Sequence, residues 1–222
     1  MNTGVSLASK IGIIMGKRGN EQMMRMAIRV GESLAFCLAV PRVSFADATT
    51  FVVKPDGKSS ATFVSDAPLE TMTGKTKQIT GRLSVDPADI TKTKGKFKVP
   101  VKSLRTGSDL RDEHLQGDGW RDAKKNPFLP FEISEVALGK KGGTELKEGK
   151  DTKVEVKGKF TAHGVTQHVT AKGTVKWSGD QLRIKAEFPY DLTAHEISVP
   201  SIVRLKVANE MTATVDLRAK AK

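Results

Sequence analysis

From Asp47 to the end of the chain, apolar and polar residues alternate with a period of two. The clearest run is residues 154–161, where Val-Glu-Val-Lys-Gly-Lys-Phe-Thr places the apolar or small residues on one parity. Successive side chains of a β-strand point to opposite faces, so this pattern predicts strands with one buried and one solvated face. Turn sequences such as Gly142-Gly143 and Ser178-Gly179-Asp180 separate the runs. Seven or more such strands predict an antiparallel sheet.

The alternation changes parity once within a run. Phe131 and Ile133 lie on one parity and Val136 on the other. An extra residue in one strand returns later side chains to the first face, so we expect a β-bulge near Ser134 or Glu135.

Residues 108–125 lack the alternation and predict one or two short helices, with Ser108 or Asp109 as the N-cap. A second helical turn is expected from Gly119 to Ala123. The alternation is strong again from Val203 to Leu217, which predicts that the last strand begins near Val203.

Residues 1–46 differ from the rest of the chain. Arg25 and Arg29 precede an apolar run from Leu34 to Val40, and Ser44-Phe45-Ala46 is a small-x-small site. These features predict a secretory signal peptide with cleavage after Ala46 or Ala48. If Met24 or Met26 is the true first residue, the residues before it are an extension that the protein does not contain. A short amphipathic helix is the alternative interpretation. The one cysteine, Cys37, lies within this leader, so the remaining domain, residues 47–222, would carry no thiol, as suits an oxidising compartment.

The chain has a formal net charge of +12, with lysines at the polar positions of most strands. This charge favours solubility or attraction to an anionic membrane surface. A nucleic-acid partner is disfavoured, because the charge is spread out and exposed aromatic residues for base stacking are scarce. The sequence lacks a Walker A loop, a dinucleotide-binding glycine fingerprint and an HExxH helix.

An ordered set of motifs gives a resemblance to a known family. The motifs are Ser103-Leu104-Arg105-Thr106-Gly107, Arg111-Asp112-Glu113-His114-Leu115, Trp120 with Asp122 and Ala123, Asn126-Pro127, Phe131, and Gly158 to Thr166. Together they resemble the YceI-like family of periplasmic polyisoprenoid-binding proteins over roughly Thr50 to Ala219. The chain departs from the family at Gly119-Trp120-Arg121-Asp122, where an aromatic pair is common, and at Thr193 to Pro200.

The resemblance implies an all-β fold: an eight-stranded antiparallel lipocalin-like barrel whose apolar interior holds an isoprenoid chain. Combined with the strand parities, it predicts an apolar ligand-binding interior. The residues expected there are Ile79, Leu83, Val99, Val101, Leu110, Leu115, Trp120, Phe131, Ile133, Val156, Phe160, Val169, Ile184 and Phe188.

Small residues share this inward parity, among them Gly81, Gly158, Ala171, Gly173 and Ala213. One interpretation is that they leave room for a ligand along the barrel axis. The other is that the glycines mark bulges and close strand packing around a filled interior.

Arg111, Asp112 and His114 form the most polar cluster and are expected at one end of the barrel. They would anchor the short helices, contact a polar head group, or, with Ser103 or Ser108 as nucleophile, form a catalytic site. Helical neighbours two residues apart point to different sides, which disfavours catalysis by Asp112 and His114. His163 and His168 do not complete a metal site, so neither a metal nor another cofactor is expected.

The function expected from these observations is that of a non-enzymatic exported carrier for an isoprenoid or isoprenoid-quinone-like lipid. Two alternatives are a packed barrel that docks to acidic partners or an anionic membrane, and a hydrolase or isomerase with His114 as base. A homodimer is left open.

Overall fold

A computed structural model describes residues 48–139 and 143–222. Ten antiparallel strands account for most of this part. They are β1 (Thr49–Val53), β2 (Ser60–Asp66), β3 (Thr71–Thr76), β4 (Thr80–Val85), β5 (Lys94–Pro100), β6 (Phe128–Leu138), β7 (Asp151–Ala162), β8 (Val165–Ser178), β9 (Gln181–Asp191) and β10 (Glu210–Ala221). The predicted leader lies outside the described residues.

The ten strands occupy eight positions around a closed barrel. Strands β1 and β2 lie end to end beside the long strand β10 and share one position in the barrel. β2 pairs with β10 through Ser65 and Met211, and β1 pairs with it through Phe51 and Ala221. β3 and β4 are related in the same way, since β4 pairs with β1 and β3 with β2. The remaining order, β4-β5-β6-β7-β8-β9-β10, closes the ring. The predicted eight-stranded antiparallel barrel is confirmed.

The bulge expected in β6 is also present. The pairing of β6 with β7 runs regularly as far as Ile133, shifts by one residue, and resumes at Glu135. Ser134 is the extra residue, and Ile133 and Val136 both face the barrel interior because of it.

One α-helix, α1 (Asp109–Gln116), lies between β5 and β6. Ser108 occupies its N-cap position, but its side chain makes no capping hydrogen bond. The prediction of a second helical turn after Gly119 is wrong. Residues 117–126 instead form consecutive turns, in which the amide of Asp122 donates to the carbonyl of Gly117 at 2.8 Å. No helix in the part of the chain that the structure describes is long and apolar enough to cross a membrane.

The predicted start of the last strand near Val203 is wrong. β9 ends at Asp191, and its partner Glu210 begins β10. The chain between them leaves the ladder and forms short 3-10 helices at Thr193–His195 and Ser201–Val203. The alternation from Val203 to Val207 is therefore unrelated to strand pairing.

Two apolar clusters follow one another along the barrel axis. The hairpin-end cluster lies toward the β8–β9 turn and contains Phe51, Leu83, Val136, Leu182 and Leu217 among its buried residues. The helix-end cluster lies toward α1 and contains Phe63, Leu115, Phe160, Phe188 and Tyr190 among its own. Val99, Phe131 and Val156 pack against both clusters.

Candidate ligand cavity

A cavity of about 150 Å³ lies inside the barrel and extends between the two clusters. Its wall is formed mainly by inward side chains of β2, β4, β5, β6, β7, β8, β9 and β10. Phe97, Phe131, Val156, Ile184 and Val215 point inward yet are only partly buried. Close-packed cores leave few voids larger than a water molecule, so this interior is not filled by its own side chains.

Nine residues expected in an apolar interior lie on the cavity wall. They are Ile79, Leu83, Val99, Phe131, Ile133, Val156, Phe160, Ile184 and Phe188. Strand parity located them because the inward face of each strand is set by the alternation alone.

The other five expected interior residues do not line the cavity. Leu110 is 64% exposed on α1, so its placement in the interior is wrong. Val101 is buried in a 3-10 helix after β5, outside the cavity wall. Leu115, Trp120 and Val169 pack in or against the helix-end cluster. Parity and periodicity do not reveal where a cavity stops along the barrel axis and packed side chains begin.

The inward glycines do not create empty space, contrary to one of the two expectations. A Cβ atom at Gly81 would lie 2.2 Å from the ring of Phe97, and one at Gly158 would lie 2.5 Å from the ring of Phe131. Each phenyl ring therefore covers its glycine and rests against the wall. At Gly173 a Cβ atom would lie 2.0 Å from the carbonyl oxygen of Lys185, so this glycine permits close strand packing. Ala171 and Ala213, by contrast, line the cavity.

A buried arginine lies on the wall of this otherwise apolar cavity. Arg121 is 1% exposed, and its Nη2 donates a hydrogen bond to the hydroxyl of Tyr190 at 2.7 Å. Its guanidinium lies 5.5 Å from the ring centroid of Tyr190 and 5.8 Å from that of Phe63. The sequence patterns assigned no role to Arg121, because no periodicity shows which way a turn residue points.

A family model described as the YceI-like domain matches residues 51–219. The chain belongs to this family. The resemblance seen in the sequence is thereby confirmed, and the matched residues span all eight positions of the barrel.

Individual relatives of this YceI-like domain are distant. A UPF0312 protein of Vibrio cholerae is 28% identical over 167 residues, which cover 72% of this chain and 81% of the relative. The crystal structure of Burkholderia cenocepacia BcnA is similar with a TM-score of 0.64 and 24% identity, over 76% of this chain and 99% of that one. A polyisoprenoid binding domain from Saccharophagus degradans, implicated in plant cell wall breakdown, has a TM-score of 0.61 and 14% identity, over 79% of this chain and 99% of that domain. The two structural likenesses show the fold.

The three polar residues expected at one barrel end have separate roles in this YceI-like domain. The carboxylate of Asp112 is buried and accepts hydrogen bonds from the amide and the hydroxyl of Thr106, both at 2.7 Å. Arg111 forms an ion pair with Glu70 of the β2–β3 turn. His114 is exposed. None of the three lines the cavity, since α1 covers the end of the barrel from outside.

His195, to which the sequence analysis assigned no role, is buried beside the aromatic rings of Phe160 and Tyr190. Its Nδ1 contacts the carbonyl oxygen of Asp191 at 2.8 Å, and its ring lies edge-on to Phe160 and Tyr190. The described residues hold no group of three or more potential metal ligands.

The turn that carries Arg121 is held by its own charges. The pKa of the Asp122 carboxyl is lower than its ordinary value: burial opposes ionisation, but the backbone amide and ammonium group of Lys125 outweigh that effect. Asp122 has a φ of 44°, a left-handed conformation that non-glycine residues seldom adopt. The ordered turn directs the neighbouring Arg121 side chain into the barrel.

Proposed function

We propose that this chain is a non-enzymatic exported carrier that binds an isoprenoid or isoprenoid-quinone-like lipid inside the barrel. The apolar cavity between the two clusters is the observation that carries the proposal. The solved polyisoprenoid binding domain with the same fold supports this class of ligand. Removing apolar surface from water gives roughly 25 cal/mol per Å² before the cost of ordering the ligand.

The proposed ligand is larger than the resting cavity. A dry cavity of about 150 Å³ accommodates a molecule the size of benzene. A longer chain therefore requires side chains on the wall to move. Ile184 and Val215 line the cavity and are only partly buried, and rotamer changes at such side chains are what we expect when the cavity widens.

Docking to an anionic membrane is part of the same proposal, because a carrier must exchange its lipid. Leu69 and Leu205 are exposed, and the Leu69 amide donates to the Leu205 carbonyl at 2.9 Å, so two loops at the helix end meet. Ile202 is 90% exposed in the second loop, which also carries exposed Arg204 and Lys206. Apolar side chains next to basic ones suit the surface of an anionic bilayer.

The test is analysis of the purified, exported protein. Mass spectrometry of an organic extract should identify an isoprenoid lipid, and intact mass should place the mature N-terminus after Ala46 or Ala48. A cavity-filling variant, Ala213→Phe, should fold and lose the lipid, because Ala213 lies on the cavity wall. Thr212→Phe on the outer face of the same strand is the matched control and should retain it.

Absence of extractable lipid, together with no uptake of geranylgeraniol by the purified protein, would overturn the carrier proposal. Retention of lipid by Ala213→Phe would place the ligand outside the barrel.

A further inference from the structure

The guanidinium of Arg121 is a buried cation without an acidic partner among the described residues. It forms no ion pair there, although nine other pairs are present. Its Nε and Nη1 atoms are buried and form no hydrogen bond with any described residue. Arginine keeps its charge at any pH a protein encounters, so it cannot relieve this cost by losing a proton.

The surrounding protein compensates the charge only partly. The hydroxyl of Tyr190 accepts one hydrogen bond, and the rings of Phe63 and Tyr190 provide a modest attraction to the cation. A buried charge normally needs a paired charge and full hydrogen bonding, and otherwise destabilises the folded protein. Retaining this arginine inside an apolar cavity is therefore unfavourable unless something else supplies acceptors.

The hydrogen-bonding groups of Arg121 and Tyr190 that remain available are donors. Nε and Nη1 of Arg121 are unpaired N–H groups, and the Tyr190 hydroxyl can donate its proton while it accepts from Nη2. A planar guanidinium presents donors in a geometry that matches carboxylate and phosphate oxygens. A ligand with an apolar chain and a carboxylate or phosphate at one end would pack against the apolar wall and pair with the Arg121 guanidinium.

We propose that Arg121 and Tyr190 bind the anionic oxygen atoms of a lipid head group inside the barrel, with the apolar chain extending toward Leu182 and Leu217 at the other end of the cavity. The inference rests on the proposed lipid-carrier function and adds the chemistry and orientation of the ligand. A phosphate on an isoprenoid and the carboxylate of a fatty acid share this chemistry.

Binding of two chain-matched pairs of probes to the delipidated full protein tests the inference. One pair is geranylgeranyl phosphate and geranylgeraniol, and the other is hexadecanoate and its methyl ester. Each anionic probe should bind at least about tenfold more tightly than its neutral partner. A hydrogen bond to a charged group is stronger than one to a neutral group by roughly the free energy that changes affinity tenfold. The pair with the greater preference identifies phosphate or carboxylate as the better ligand.

Arg121→Leu should bind both members of each pair equally and should melt at a temperature no lower than that of the parent, since it removes an unpaired buried charge. Arg82→Gln, which removes a positive charge from the exposed face of β4, should keep the preference for the anionic probe. Tyr190→Phe keeps the ring and removes the hydroxyl, so it should reduce the preference severalfold.

Equal binding of charged and neutral probes to the parent protein would overturn the inference and leave the carrier proposal standing. A preference that survives in Arg121→Leu would also overturn it, because the head group would then lie elsewhere. Failure of all four probes to bind would refute the inference, and together with the absence of extractable lipid it would also refute the carrier proposal. The comparison of probes on the parent protein holds even if Arg121→Leu does not fold.

Discussion

Contacts between phenyl rings and glycines shape the inner wall of the barrel. Phe63 covers Gly74, Phe97 covers Gly81 and Phe131 covers Gly158, with ring atoms 2.1–2.5 Å from where a Cβ atom would lie. All three rings line the cavity. A ring that lies over a glycine takes less space from the lumen than one that stands away from the wall, so these glycines contribute to the cavity through their aromatic partners.

Gly81→Ala tests this contribution. The new methyl group would collide with Phe97 and approach the Lys96 carbonyl oxygen at 3.0 Å. We expect a loss of about 1–3 kcal/mol of stability, as for other overpacked cores, together with weaker lipid uptake. Urea denaturation and geranylgeraniol binding measure the two effects.

The double variant Gly81→Ala/Phe97→Leu is the control, because the smaller side chain leaves room for the methyl group. It should recover most of the lost lipid uptake. Unchanged uptake by Gly81→Ala alone would contradict the role assigned to the ring.

Between neighbouring strands, an ion pair on the outer face joins β9 to β10. Arg183 donates to both carboxylate oxygens of Asp216, at 3.2 and 2.8 Å. The hydrogen bond from Arg183, and then its charge, hold the pKa of Asp216 below the ordinary value, and the pKa of Arg183 is raised by the same contact. The two side chains are 41% and 34% exposed, so solvent screening keeps the contribution of this ion pair to stability small.

The direction of this pKa shift predicts how the ion pair responds to acid. A carboxyl whose pKa is lower in the folded state stabilises the fold above its unfolded pKa of about 3.9 and loses that contribution as the pH falls through its folded value. Asp216→Asn should therefore be less stable than the parent near neutral pH, and the difference should vanish below the folded pKa of Asp216. Urea denaturation at both pH values measures it.

Glu187→Gln provides the comparison, since this outward carboxylate of β9 forms no ion pair with any described residue. It should change stability little at either pH. A difference between Asp216→Asn and the parent that persists in acid would show that the effect does not come from the ion pair.

Considered as a whole, the molecule has an apolar cavity and a distinct helix end. Leu69, Ile202 and Leu205 are exposed there beside Arg204 and Lys206. The ion pair between Arg111 and Glu70 fastens α1 to the loop that carries Leu69. Without the predicted leader, residues 47–222 contain 31 Lys and Arg against 23 Asp and Glu, a net charge of +8 that would attract an anionic membrane from any side, whereas the exposed apolar side chains would act only on contact.

Ile202→Asp separates these two effects. We expect the parent protein to bind anionic vesicles more tightly at low salt than at high salt, and neutral vesicles far more weakly. Ile202→Asp should weaken anionic-vesicle binding by about tenfold or more, because it removes an inserted apolar side chain worth roughly 1.5–3 kcal/mol and adds a negative charge. Vesicle sedimentation measures both.

Thr170→Asp makes a similar change of charge on the exposed face of β8, away from these loops. It should weaken vesicle binding much less than Ile202→Asp. Equal effects of the two variants would mean that net charge alone drives membrane binding.

The alternation of the sequence determined the strands and their inward faces, and the family resemblance added the closed barrel. A strand with one apolar face has a single way to bury it, so parity located the inward residues from Ile79 to Phe188 and the bulge at Ser134. Motifs in the loops then identified the family. These properties are local, and neighbouring residues express them without reference to the rest of the chain.

The candidate site depends on contacts between distant segments. Arg121 and Tyr190 are 69 residues apart and meet only when the turn after α1 packs over the end of β9. The glycines were ambiguous in the sequence because neighbouring strands decide whether space beside them stays empty, and phenyl rings or backbone fill it here. The local pattern thus determined which side of each strand faces inward. Closure of the barrel decided which inward positions stay open and where a charge is buried, because both depend on side chains brought together from across the chain.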